Sequence, residues 1–185
     1  MNVTEHKPGH LEVIGETAAK LLLFQKGWNP YSRFLDVDKV DLILRRSQKN
    51  KTEYREIQVK YRRLYEHNND RWDGKLFSAT AWYNADKDEF STHRPGFFIL
   101  FVFGYPDRRI EKDVLLIPSR EFHEIIQKSP PIKEGDKRVV YISKAKNKNE
   151  WYTWLTRKKF SSICSSTCQN VSKYLNNFNG LSEQF

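Results

Sequence analysis

Hydrophobic positions recur at helical spacing near the start of the chain. Ile14, Ala18, Leu21 and Leu22 share one side of residues 11–26, and Gly27 ends the run. The polar stretch Trp28-Asn-Pro-Tyr-Ser reads as a loop. The period then changes to two. Over residues 40–46, Val40, Leu42 and Leu44 alternate with Asp41, Ile43 and Arg45, which predicts a strand. Residues 47–52 form a polar hairpin connection, and residues 54–61 alternate again, with Ile57, Val59 and Tyr61 on one face and Glu56, Gln58 and Lys60 on the other.

Beyond this hairpin the pattern is less regular. Residues 62–75 are charged and irregular, and 76–83 are short and ambiguous. Residues 97–104 form an apolar, aromatic run bounded by Pro95 and Pro106, the pattern of a buried central strand. Strands are predicted at 114–117 and 138–143, with a helix from Ser119, as its N-cap, to about Gln127. A last helix is predicted over 160–178. The order helix, hairpin, strand, strand, helix, strand, helix predicts an α/β chain with one mixed sheet flanked by helices. The reading is of one domain over residues 10–178, with tails at 1–9 and 179–185.

Composition narrows the class. At 185 residues, 38% hydrophobic and 30% charged, the chain suits one folded domain. The net charge of +9 favours a polyanionic partner, nucleic acid first. Basic residues concentrate in two runs: 45–63, interrupted by Glu53 and Glu56, and 137–159, interrupted by Glu150. The two cysteines, Cys164 and Cys168, exclude a disulfide scaffold and a four-thiolate zinc site. At C-x3-C spacing on a helix they would share one face, as two small half-buried residues. The start of the chain is polar and the longest apolar run has seven residues, so a cytoplasmic protein without a membrane span is expected.

The chemistry-bearing residues fall on the hairpin. Asp41 stands in the apolar context Val40-Asp-Leu-Ile-Leu. Burying a lone carboxylate costs about several kcal/mol, so such a residue sits at a strand end, in a cleft or beside a cation. Gln58 and Lys60 share a face of the next strand, about 7 Å apart by strand rise. If the strands pair, an acid, an amide oxygen and an ammonium converge. Oxygen donors suit Mg2+, and a lysine beside them can serve an attacking water or a phosphate.

An apolar strand with Asp41, a hairpin, and then Glu-Ile-Gln-Val-Lys resembles the core signature of the PD-(D/E)xK nuclease superfamily. Asp41 stands at its first acid, Gln58 at its second acidic position and Lys60 at its lysine. Gly15-Glu16 followed by Ala18-Ala19 resembles the preceding helix that often carries a glutamate, which makes Glu16 the fourth site candidate. The resemblance covers residues 10–63. It implies a restriction-endonuclease-like fold and a metal-dependent nuclease, DNA being the favoured substrate. Asp41, Gln58 and Glu16 would then ligate Mg2+ or Mn2+, and Lys60 would act on the water or the phosphate. The family often pairs two sites in a homodimer, which suits cutting both strands of a duplex.

This chain departs from the pattern at two positions. Val40 stands where proline is usual, and Gln58 is a neutral donor that removes one negative charge. Glu56 on the same strand face, or Asp36 and Asp38 before the first strand, would be compensating acids. Each site residue also has an ordinary reading: Glu16 as an exposed helix carboxylate, Asp41 as an ion-pair partner of Lys60, Gln58 as a sheet amide. With those roles the fold would be a silent nucleic-acid-binding or protein-interaction domain. Arg62, Arg63, Arg71 and Trp72 follow the lysine and are candidate nucleic-acid contacts, in a stretch that also contains Tyr65. His6 and His10 have Pro8 and Gly9 between them, which argues against a helix aligning their rings. Trp151, Tyr152 and Trp154 are expected to pack. No GxSxG elbow and no Gly-rich phosphate loop is present.

Overall fold

The computed structural model describes residues 8–32, 39–48, 51–132 and 136–182. Helix α1 spans Pro8–Gln25. Proline at the first helical position costs no hydrogen bond, so the helix starts ahead of the predicted 11–26 and takes in His10, while His6 lies outside the described residues. Gly27 closes it at φ +81°. Its N–H reaches Phe24 C=O and the Trp28 N–H reaches Leu23 C=O, the paired bonds of a glycine-terminated helix end. The chain thereby turns straight into β1 (Asn29–Ser32), where a loop was expected. Pro30 is tolerated because β1 is an edge strand.

Strands β2 (Leu42–Gln48) and β3 (Lys51–Arg63) form the expected antiparallel hairpin, with Leu42 opposite Ile57. Strand β4 is short (Tyr65–Glu66), and β5 covers Phe77–Asp86. Strand β6 spans Phe97–Gly104, buried throughout and parallel to β3. Strand β7 (Leu115–Pro118) leads into helix α2 (Ser119–Lys128). Pro118 occupies the cap position without a side-chain bond, and Ser119 is instead a buried first-turn residue. Strands β8 (Lys137–Ala145), β9 (Trp151–Trp154) and β10 (Cys168–Asn170) complete the chain.

The molecule is a single mixed α/β domain, but it holds two five-stranded sheets instead of one. The first has the order β1-β2-β3-β6-β7, and the second, β10-β9-β8-β5-β4, is antiparallel throughout. One core lies between the sheets, with Ala79, Ala81, Tyr83 and Ala85 of β5 facing Ile99, Phe101 and Phe103 of β6, and α2 adds Phe122, Ile125 and Ile126. The other face of the first sheet carries Leu42, Leu44, Ile57 and Leu100 against Ala19 and Leu23 of α1. Strand β5 was ambiguous in the sequence because three of its inward residues are alanines, which alternate in burial but give little hydrophobic contrast.

The predicted helix over 160–178 does not form. In its place stand turns, β10 and a short 3-10 turn, Ser172–Tyr174. This segment is rich in Ser, Thr and Asn, whose side chains compete for backbone groups. Thr167 Oγ1 accepts from Cys164 N–H, and Asn170 Oδ1 accepts from Ser172 N–H. The cysteines therefore do not share a helix face. Cys164 is exposed, and hydroxyl hydrogen bonds from Ser166 and Thr167 lower its thiol to about 7; Cys168 is buried, which pushes its thiol up to about 11. Among the described residues no helix is long and apolar enough to cross a membrane.

Candidate functional site

The site lies where the first sheet forks. The β2–β3 ladder stops at Leu42 and Ile57, while β3 continues through Gln58–Arg63 paired, among the described residues, only with β6. Asp41 stands at the fork. Its N–H donates to Ile57 C=O at 2.9 Å, and its Oδ2 accepts the Val59 N–H at 2.6 Å. The carboxylate thus takes the bond that a β2 carbonyl would otherwise make, and it is held in place by the strand that carries Gln58 and Lys60.

Beside the fork is a cavity of about 540 Å3. Glu16 reaches it from α1, Asp41 from the fork, and Gln58 and Lys60 from β3, so all four candidates line one space. The helix is seated by close packing. A Cβ at Gly15 would stand 2.7 Å from Tyr61 Cβ, so the absence of a side chain lets α1 approach β3 and brings Glu16 to the cavity. Among the described residues Glu16 otherwise has a loose ion pair with Lys20, at 3.9 Å one turn along the helix.

Gln58 is the most constrained donor. It is 5% exposed, and its Oε1 has no hydrogen-bond partner among the described residues. A buried amide oxygen without a partner costs about 1–3 kcal/mol. Lys60, two residues on, is partly buried. Desolvation lowers its pKa from the ordinary lysine value, and the charges of Arg62 and Lys39 push the same way, while Glu89 and Asp41 pull it back up. Arg62 is likewise lowered, chiefly by burial. Its guanidinium carbon lies 4.8 Å from the centre of the Tyr83 ring, and Lys60 Nζ lies 5.5 Å from the same centre.

Several residues near the site were not singled out from the sequence, among them Glu12 of α1, a further carboxylate on the cavity wall. Glu89 accepts from Tyr83 Oη at 2.6 Å and pairs with Lys39 Nζ at 3.3 Å, and Lys39 also lines the cavity. Burial and the bond to Glu89 raise the Tyr83 phenol well above its usual range. Tyr83 and Glu89 come from the second sheet and the turn after it, and only the packing of the two sheets brings them to β3; no local pattern marks them.

Of the candidate nucleic-acid contacts, Arg62 and Arg63 line the cavity and Arg71 and Trp72 do not. Arg71 pairs with the buried Asp73 at 2.9 Å, and Trp72 packs edge-on to Phe160. Glu56 is engaged by Arg94 and is not part of the cavity wall, so it does not compensate for Gln58. Asp36 and Asp38 lie outside the described residues. Trp151 and Trp154 are buried, as expected.

The candidate donors are oxygens: the Asp41 and Glu16 carboxylates and the Gln58 amide oxygen, with the Glu12 carboxylate on the same wall. That suits a hard divalent cation, and the unpartnered Oε1 is the donor such a cation would satisfy. Among the described residues no three His, Cys, Asp or Glu side chains gather as a metal cluster, so a cation here would rest on fewer carboxylates and more water. Compared with protein-family models, with curated proteins and with solved structures, the chain matches none.

Proposed function

We propose that this chain is a metal-dependent nuclease of the PD-(D/E)xK type with a restriction-endonuclease-like core, hydrolysing phosphodiester bonds of nucleic acid, DNA in the first instance. The observation that carries the reading is the buried, unpartnered Gln58 Oε1, set in the same cavity wall as Asp41, Glu16 and Lys60. Gln169 Oε1 of β10 is likewise without a partner, so what distinguishes Gln58 is the wall it shares with Asp41, Glu16 and Lys60.

Asp41, Gln58 and Glu16 would hold Mg2+ or Mn2+, which when bound acidifies water and offsets charge on the phosphate. Asp41 is kept in register for this by the Val59 N–H. Arg62, Arg63 and Lys39 line the same cavity and would bind the phosphate chain as cations. Lys60 has two roles open to it. As an ammonium it stabilises negative charge on the phosphate; as a free amine it takes a proton from the attacking water. Its lowered pKa brings the amine form within reach at lower pH than for an exposed lysine.

The neutrality of Gln58 favours one second reading, a nucleic-acid-binding domain that does not cleave. Nicking of supercoiled DNA and cutting of single strands in Mg2+ or Mn2+ separate the two. The nuclease reading expects cleavage by the wild type, reduced about a hundredfold or more in Asp41→Ala and Lys60→Ala. Salt-sensitive binding by all three proteins without cleavage would leave the silent domain.

A further inference from the structure

A row of aromatic side chains crosses the outer face of the second sheet, one from each of four neighbouring strands. Tyr65 of β4 stacks on Trp82 of β5, with ring centres 4.8 Å apart and planes within 19°. Trp82 lies opposite Tyr141 of β8, and Tyr141 stacks on Trp154 of β9 at 4.6 Å. The two ends of the row differ. Trp72 and Phe160 fold over Trp154, which is 6% exposed, and with Phe77 and Cys168 they make a closed core. At the other end Tyr65 remains 40% and Trp82 44% exposed. The molecule thus covers one half of the row with its own chain and leaves open the half on β4 and β5, which the chain enters two residues after Arg63.

That open half continues the cavity along a single stretch of chain. Arg63 lines the cavity, and Tyr65 follows two residues later, across the buried Leu64 where the chain passes from β3 of the first sheet to β4 of the second; Arg63 and Tyr65 are both exposed. On its far side Trp82 borders a groove of about 320 Å3, walled also by Tyr141, Ile132 and the exposed Arg157. Two parallel exposed rings, with a cation on either side, fit an occupant with flat apolar faces strung on a polyanion.

We propose that Tyr65 and Trp82 form a stacking platform for unpaired bases of a single-stranded nucleic acid, whose phosphates pass over Arg63 into the cavity. The proposal rests on the nuclease reading for what happens in the cavity, and it adds the substrate class. A duplex keeps its bases inside its own stack and has no free face to offer these rings, so the platform selects single strands, or strands opened by unstacking. Trp72, a base-contact candidate in the sequence, is instead the cover of the closed half.

The test is fluorescence anisotropy of labelled oligothymidylate in excess chelator, with duplex DNA and a strand of abasic residues alongside. The wild type is expected to prefer oligothymidylate over both. Trp82→Ala should weaken that binding about ten- to a hundredfold and leave the abasic strand unchanged, and Trp82→Phe should recover most of the loss. Tyr65→Ala gives an independent measure if Trp82→Ala fails to fold. Oligouridylate, run in parallel, should show the same dependence on the ring, whichever sugar is preferred. No loss in Trp82→Ala or Tyr65→Ala, or an equal loss on the abasic strand, would overturn the platform. No cleavage occurs in chelator, so base-dependent binding without any cleaving activity in metal would sink the catalytic reading alone. Cleavage without base-dependent binding would sink the platform alone.

Discussion

Gln58 shows how one side chain can be read for chemistry. In the sequence it is an amide where an acid is usual; in the fold it is a buried acceptor left without a donor among the described residues. The amide supplies one oxygen to a cation but no charge, so Gln58→Glu should lower the Mg2+ or Mn2+ concentration needed for half-maximal cleavage, by about tenfold if the added carboxylate contributes on the order of 1.4 kcal/mol. Metal titrations of wild type and variant decide it. An unchanged midpoint would mean that position 58 does not touch the cation. The site residues were legible from the hairpin because alternation put Gln58 and Lys60 on one face and pairing set Asp41 against them. Glu89 and Tyr83 were not legible: they belong to another sheet, and their charge and ring reach Lys60 only through space.

Among the elements, α1 and β3 make the critical contact. Tyr61 is clasped between two glycines: a Cβ would stand 2.7 Å from it at Gly15 and 2.0 Å from its hydroxyl at Gly104. Gly15→Ala should therefore displace α1 and carry Glu16 away from the cavity. The helical gain from alanine is outweighed by overpacking of about 1–3 kcal/mol, seen as a lower Tm, with cleavage reduced more than at an exposed glycine such as Gly9. A Gly15→Ala protein with unchanged Tm and activity would show that α1 has room to shift. The hairpin was readable because it carries a strong period of its own; the helix was placed by Gly27 and its apolar spacing, but its apolar side was misjudged, since Leu21 is exposed and Ala19 and Leu23 are the buried positions. The 160–178 segment misled because its scattered apolar residues resemble a helical pattern, whereas its hydroxyl and amide side chains bind the backbone locally.

For the molecule as a whole, the net charge of +9 is a long-range attraction for any polyanion, but only some of those cations stand at the cavity. Binding to nucleic acid should weaken with salt at a slope of about −0.9 per neutralised phosphate on duplex and −0.7 on single strands. Arg63→Ala should make that slope shallower by about one, whereas Arg71→Ala, whose guanidinium is already paired with Asp73, should leave it nearly unchanged. Equal slopes for wild type and Arg63→Ala, measured from 50 to 300 mM salt (over which the Debye length shrinks roughly 2.5-fold), would place the phosphate path elsewhere.

By itself the sequence determined the features that depend on neighbours along the chain. These are the first helix, the β2–β3 hairpin, the buried strand β6, the helix after Pro118, and the alignment of Asp41, Gln58 and Lys60. Each rests on a period of two or 3.6, on an unbroken apolar run, or on a register that one strand imposes on the next, and such signals are local. Tertiary structure alone decided that there are two sheets, that β1 is a strand, that Glu89 and Tyr83 stand by the lysine, and that half of an aromatic row stays uncovered. Those outcomes depend on which faces meet across the core. A weakly patterned strand such as β5, with alanines inward, leaves that choice to the packing of distant residues, Phe101 and Phe122 among them, against Tyr83.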